Sequence, residues 1–281
     1  MSGTVIQESA MPVSITPQVI VVIRFSYLGE NGWRLTHGGL EANRKVLYDP
    51  ARLERRFRLF EALTLPSLLA QTDADFTTAI LIGSDFPLTW RQRLTNLVKP
   101  LRDARIIALK PMKNFAATKT ALDLCTKAPS HVISIRLDDD DAMSVDCIAE
   151  QKRLAPMVLD ISGVETPTIV AFNNGLFLKI AEGGNKLFGV IESLPLGIGM
   201  GMIAPKGMRP TIFSTDHRQI HTRWNCYTDS VTPHFIRSVH GDNDSGARVY
   251  GVEKDYTDAE LDQIMATRFP FTRAELLALR P

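Results

Sequence analysis

The sequence predicts an α/β protein built on a mixed, mostly parallel sheet flanked by helices, and three observations carry that expectation. Apolar runs rich in Val, Ile and Leu at 18–25, 76–82 and 104–109 alternate with segments of helical periodicity, the order that places crossover helices between parallel strands. The first run (QVIVVIRF) has no apolar/polar alternation, as expected of a strand covered on both faces. A further strand, 133–137 (ISIRL), ends in four consecutive carboxylates, Asp138, Asp139, Asp140 and Asp141. Acids at the carboxyl end of a strand lie where open α/β sheets usually build their sites.

The elements follow in order. Beyond the first strand, residues 26–40 are dense in Gly and polar side chains and form a loop able to approach a ligand closely. Residues 50–71 carry Leu53, Phe57, Phe60 and Leu63 at helical spacing, with Arg52, Arg55 and Arg58 on a solvated face. Pro66 should kink or divide that helix. The strand at 76–82 is closed by Gly83 and Pro87, a helix covers 88–99, and a short strand covers 104–109. A helix over 114–127 is expected to be capped by Asn114 and to present Phe115, Thr118, Leu122 and Cys125 on one face. After the acids, 142–154 has helical character. The second half is less regular. Segments 168–172 and 176–180 flank Asn173-Asn174-Gly175, a hairpin signal. Residues 196–204 (LGIGMGMIA) match neither GxGxxG nor GxxxxGK[ST] and read as a flexible loop beside a substrate. Two short helices after residue 255 read as a packing tail.

At 281 residues and 44% hydrophobic content, the chain can bury a substantial core. A net charge of +1 gives no global field of the kind that marks nucleic-acid binders. Cys125, Cys147 and Cys226 form no CxxC pair, are odd in number, and suit a reducing compartment as small core residues. The first 16 residues lack the basic and apolar regions of a signal peptide, and no stretch reaches the ~20 apolar residues that span a bilayer. A cytoplasmic, soluble protein is expected, with any membrane contact peripheral.

Four adjacent carboxylates repel one another, so they need solvent or a cation. Three readings fit them. They can form a solvated turn that caps the following helix. They can supply the nucleophile of an hhhhDxDx[TV] phosphotransferase or phosphohydrolase, although Ala142 and Met143 stand where that signature needs Thr or Val. They can hold a divalent metal, Mn²⁺ or Mg²⁺, that shares its coordination with a phosphate-bearing ligand.

The third reading coincides with a family resemblance. Arg136-Leu137-Asp138-Asp139-Asp140-Asp141-Ala142, taken with Arg56-Phe57, Pro66-Ser67-Leu68 and Gln71-Thr72 upstream and with residues 240–245 (HGDNDS) downstream, resembles metal-dependent GT-A glycosyltransferases. Within them it is similar to bacterial proteins described as rhamnosyltransferases, over about 19–245. The resemblance implies a GT-A-like, Rossmann-like sheet. It implies one domain over 17–281 behind a polar leader, 1–16, with a nucleotide-sugar-binding half (17–165), an acceptor-binding half (166–250) and a helical tail (251–281). It further implies transfer of a sugar from a nucleoside diphosphate sugar to a glycan or glycolipid acceptor, with rhamnose entering only through the family description. Asp138 and Asp140 take the donor and metal roles, with Asp139 or Asp141 as substitutes in a shifted register. His240 completes the metal shell as neutral imidazole. In 214–224 (STDHRQIHTRW), Asp216 is the candidate general base, although Ser214, Thr215 or Asp216 can equally cap a helix there. Gln219, Arg223 and Trp224 depart from the QxxRW pattern of processive synthases by one residue, and His217 and His221 read as helix-face residues. Arg24, Arg56, Lys119 and Arg136 are the candidate cations for the diphosphate. Tyr27 and Trp33 are candidates for stacking or packing, and Asp242, Asn243 and Asp244 for acceptor hydroxyls or a turn. A binding module that kept the fold without catalysis is the remaining alternative.

Overall fold

A seven-stranded sheet with four parallel and two antiparallel pairings bears out the expected α/β class. The computed structural model describes residues 14–31, 38–127, 130–241, 243 and 249–280. Trp33, Asp242, Asp244 and most of the leader lie outside them. The strands β1 (Gln18–Arg24), β2 (Thr77–Gly83), β3 (Ala104–Leu109) and β4 (His131–Asp138) run parallel in the order β4-β1-β2-β3. On the other side of β4, the order continues through β9 (Gly201–Pro205), which is antiparallel to both neighbours, to β6 (Thr168–Phe172) and the edge strand β10 (Asn225–Asp229).

Strand alternation separates the two faces. Val19, Val21, Ile23, Ile133, Ile135 and Leu137 pack with α2 (Pro50–Leu59), α4 (Leu88–Leu97) and α6 (Cys147–Ser162). Ile20, Val22, Ala79 and Leu81 pack under α5 (Asn114–Cys125). In register, Arg24 pairs with Asp138 and Val22 with Arg136. Arg24, Arg136 and Asp138 therefore share the α5 face at the carboxyl end of the sheet.

Several local expectations are corrected. The 50–71 helix is present, and Leu53, Phe57, Phe60 and Leu63 are fully buried. It divides before Pro66, however, through a π-helical turn, Phe60–Thr64, between α2 and α3 (Leu65–Leu69). Pro66 has no N–H and its ring opposes the carbonyl four residues back, so the hydrogen-bond ladder widens there. Arg52 is not on a solvated face; it is buried and donates to Ser26 Oγ (3.2 Å) and the Leu47 carbonyl (3.3 Å). Asn114 is the first helical residue rather than the cap, and its N–H donates to Asn31 Oδ1 at 2.9 Å. The helix expected from residue 142 starts at Cys147, after a two-residue strand β5 (Ala142–Met143).

Asn173-Asn174-Gly175 is not a hairpin turn. It carries the chain from β6 into a second, five-stranded sheet of order β12-β8-β7-β11-β5, where β7 is Asn174–Lys179, β8 Lys186–Ile191, β11 Phe235–Val239 and β12 Val252–Lys254. The asparagine side chains hold that crossing, donating to the Glu192 and Val231 carbonyls at 3.0 and 2.6 Å. Gly175 is required by proximity, since a Cβ there would lie 2.6 Å from the Phe235 carbonyl oxygen. The tail is helical as expected: α7 (Asp258–Arg268) and α8 (Arg273–Ala278) each start with a capping box, from Thr257 and Thr272.

Candidate active site

The four carboxylates line a cleft of about 580 Å³ at the carboxyl edge of the large sheet. They are not a solvated turn: Asp139, Asp140 and Asp141 are 1%, 4% and 6% exposed. Each acid meets a different partner. Asp138 lies between two guanidiniums, 3.5 Å from Arg24 and 3.4 Å from Arg136. Burial pushes its carboxyl up, but Arg136 and Arg24 together outweigh burial and hold it well below the usual carboxylate range. Arg56, delivered by α2, bridges the next two acids, pairing with Asp139 and reaching Asp140 Oδ2 at 2.6 Å. Asp140 Oδ2 also meets His240 Nε2 at 2.8 Å and accepts from Asn243 Nδ2 at 3.2 Å. Burial opposes the charge on Asp140, yet Arg56 and then His240 leave its carboxyl below its ordinary value.

Asp141 has the opposite fate. Burial, followed by the charges of Asp140 and Asp138, pushes its carboxyl well above the ordinary value. Its backbone carbonyl accepts from Thr64 Oγ1 (2.8 Å), on the π turn, and its Oδ1 accepts the Ser238 N–H (2.9 Å). Asp141 therefore fastens the tip to β11 and the long helix, and Asp138 and Asp140 are the acids kept ionised.

The far wall is formed by Leu196, Gly197 and Ile198, and by residues 213–217. The 196–204 segment does run beside the cleft, but its second half is β9. Gly197 leaves room for Arg136, because a Cβ there would lie 2.7 Å from the Arg136 Nε. Phe213 lies beneath both cleft guanidiniums, 5.8 Å from Arg24 and 5.7 Å from Arg136. Asp216 lines the cleft and caps a 3₁₀ helix, His217–Thr222, by accepting the Arg218 N–H at 2.8 Å.

Among the residues singled out from sequence, the cleft brings together Asp138, Asp140, Arg24, Arg56, Arg136 and Asp216, with His240 on Asp140. Lys119 is elsewhere: it pairs with Asp123 and lines a separate cavity with Lys206 and Met208. Tyr27 is a packing residue at the cleft edge, 2% exposed, with its hydroxyl donating to the Lys110 carbonyl. The structure adds two further residues to the cleft. His217 is turned into the cleft, and burial, reinforced by Arg136, pushes its imidazole down to about 3, so it is neutral at physiological pH. A 3₁₀ helix has three residues per turn, so His217 and His221 do not share a face; His221 is exposed. Arg237, in the apolar strand β11, also lines the cleft. An arginine inside an apolar strand needs a polar destination, and that signal was present for Arg237 as it was for Arg136.

Asp140 Oδ2 and His240 Nε2 are 2.8 Å apart, within hydrogen-bond distance. A carboxylate and an imidazole side by side are a donor pair that a divalent ion could use in place of that hydrogen bond. Among the described residues, no three His, Cys, Asp or Glu side chains gather as a ready-made metal cage. Mg²⁺ is usually held by one or two carboxylates, with water and phosphate oxygens filling its remaining positions.

The profile of a family described as "Putative rhamnosyl transferase" matches residues 18–251, an interval that contains every cleft residue named above. The chain belongs to this glycosyltransferase family. A search of curated proteins returns no match. Among solved structures, the chain is similar to residues 1–349 of S. aureus TarS in complex with UDP-GlcNAc, at 10% identity and TM-score 0.45, over 81% of this chain and 60% of that one. It is also similar to the same TarS segment with UDP, at 10% identity and TM-score 0.42, over 79% and 60% of the two chains. The chain thus spans about 60% of the length of these TarS structures. No helix among the described residues is long and apolar enough to cross a membrane.

Proposed function

We propose that this member of the family transfers a sugar from a nucleoside diphosphate donor to a glycan or glycolipid acceptor, with a divalent metal at Asp140 and His240. The observation that carries the reading is the division of labour among the acids: Asp140 meets an imidazole, while Asp138, two residues earlier, is flanked by Arg24 and Arg136 on the same sheet face. The metal, when bound, supplies Lewis-acid stabilisation of the charge that grows on the departing diphosphate. Arg24 and Arg136 offer planar forks for phosphate oxygens. Their stacking on Phe213 limits the rotamer freedom lost when a donor binds.

Asp216 is the general base in this reading. Its side chain is 61% exposed at the cleft wall, so an acceptor hydroxyl can reach it, and one oxygen is already oriented by the Arg218 N–H. Rhamnose is the sugar the family description suggests. The test is nucleoside diphosphate release from a panel of sugar nucleotides, dTDP-rhamnose and UDP-GlcNAc included, with Mn²⁺ and a glycan acceptor. Turnover that needs metal and is lost in Asp140→Ala supports the assignment; undiminished turnover in that variant rejects it.

A further inference from the structure

We infer that Arg56 is a resident counter-ion of the metal site, whose guanidinium on Asp140 opposes metal uptake. This inference rests on the metal reading above and assigns Arg56 a role other than waiting for phosphate. Its side chain is 8% exposed, and it is held on α2 with Nη1 on Asp140 and Nη2 on Asp139. Asp140 Oδ2 is crowded by three nitrogen atoms, from Arg56, His240 and Asn243, at 2.6, 2.8 and 3.2 Å. A metal ion on Oδ2 would compete with those three nitrogens, and one on the other carboxylate oxygen would still stand beside the guanidinium. His240 can remain as a ligand through Nε2, and Asn243 is neutral. The guanidinium is the one positive group in permanent conflict with a divalent cation.

Arg56 has somewhere to go. Asp139 Oδ2 is buried and has no hydrogen-bond partner among the described residues, so Asp139 can take a second contact from the displaced fork. Arg56 also lines the cleft, where a diphosphate would offer further acceptors. The arrangement keeps the buried acids neutralised before metal arrives, and it weakens metal binding to the empty protein.

Mn²⁺ affinity, measured by electron paramagnetic resonance titration without nucleotide, tests this. Arg56→Met should bind Mn²⁺ about tenfold or more tightly than the parent protein, within the usual range of coupling between sites. Mn²⁺ should also raise its melting temperature more than that of the parent. Arg56→Lys, which keeps the charge but cannot bridge two carboxylates, should fall between them and guards against misfolding of the methionine variant. Asp140→Ala should abolish binding in every background. Equal or weaker Mn²⁺ binding in both Arg56 variants, with binding still lost in Asp140→Ala, overturns the role of Arg56 and leaves the metal site standing. Binding that survives Asp140→Ala overturns the metal site itself.

Discussion

At the scale of single residues, the cleft works by giving chemically identical side chains different surroundings. Asp138, Asp140 and Asp141 are consecutive or nearly so, yet two are held ionised and one is driven towards its neutral form. Roles can be assigned from that difference, and each carries a measurable outcome. Asp216→Asn should lower kcat by about 100-fold, the usual scale for a general base, with little change in donor affinity; equal losses in both would indicate that Asp216 acts only as the cap of the 3₁₀ helix. Gly197→Ala should push a methyl group against Arg136 and weaken nucleotide binding, read by calorimetry, while leaving the melting temperature within a few degrees of the parent. An unchanged affinity would remove Arg136 from the donor site.

At the scale of elements, the π turn at Phe60–Thr64 ties the long helix to the acid tip through Thr64 Oγ1 and the Asp141 carbonyl. Thr64→Val should cost about 1–2 kcal/mol, because a buried acceptor loses its donor, and denaturant unfolding would measure it. The parallel strands β1 to β4 were legible in the sequence because each is a short apolar run bounded by Gly, Pro or charge, whereas β5 and β9, which flank the acids, read as a helix start and a loop. The helices were legible from the spacing of Leu53, Phe57, Phe60 and Leu63. What was not legible depended on partners far along the chain. Asn173-Asn174-Gly175 has the composition of a turn, yet its side chains serve Glu192 and Val231 in a crossing between sheets. Arg56 stood out as a cation for a diphosphate, and only the approach of α2 to the tip of β4 makes it the neutraliser of Asp139 and Asp140. His217 was hidden by the choice of helix type. The acids, Asp216 and His240 stood out early because their types and order carry chemistry independent of the fold.

At the scale of the whole molecule, the helical tail and the cleft share one framework. Arg268 of α7 holds Asp146 at the start of α6 by two hydrogen bonds, at 2.5 and 2.8 Å, and meets His234 Nδ1 at 3.1 Å. Burial and then Arg268 push the His234 imidazole below its ordinary value. His217 is shifted in the same direction. The unfolded chain therefore binds more protons at these two positions than the native protein does below about pH 6.5, so this contribution to stability is complete above that value and declines as pH falls. Melting temperatures should drop between about pH 6.5 and 5, and His234→Gln should flatten the slope. An unaltered slope would mean that His234 takes up its proton equally in both states.

The central claim is that one cleft binds metal and nucleoside diphosphate together, and a thermal-shift panel tests it most directly, since a ligand that binds only the native state raises its stability by mass action. The panel sets UDP, GDP, dTDP, CDP and ADP against the protein with and without Mn²⁺. Stabilisation by a particular nucleotide is expected only when Mn²⁺ is present, and it should be lost in Asp140→Ala. No metal-dependent shift with any nucleotide, or a shift that survives Asp140→Ala, would contradict it.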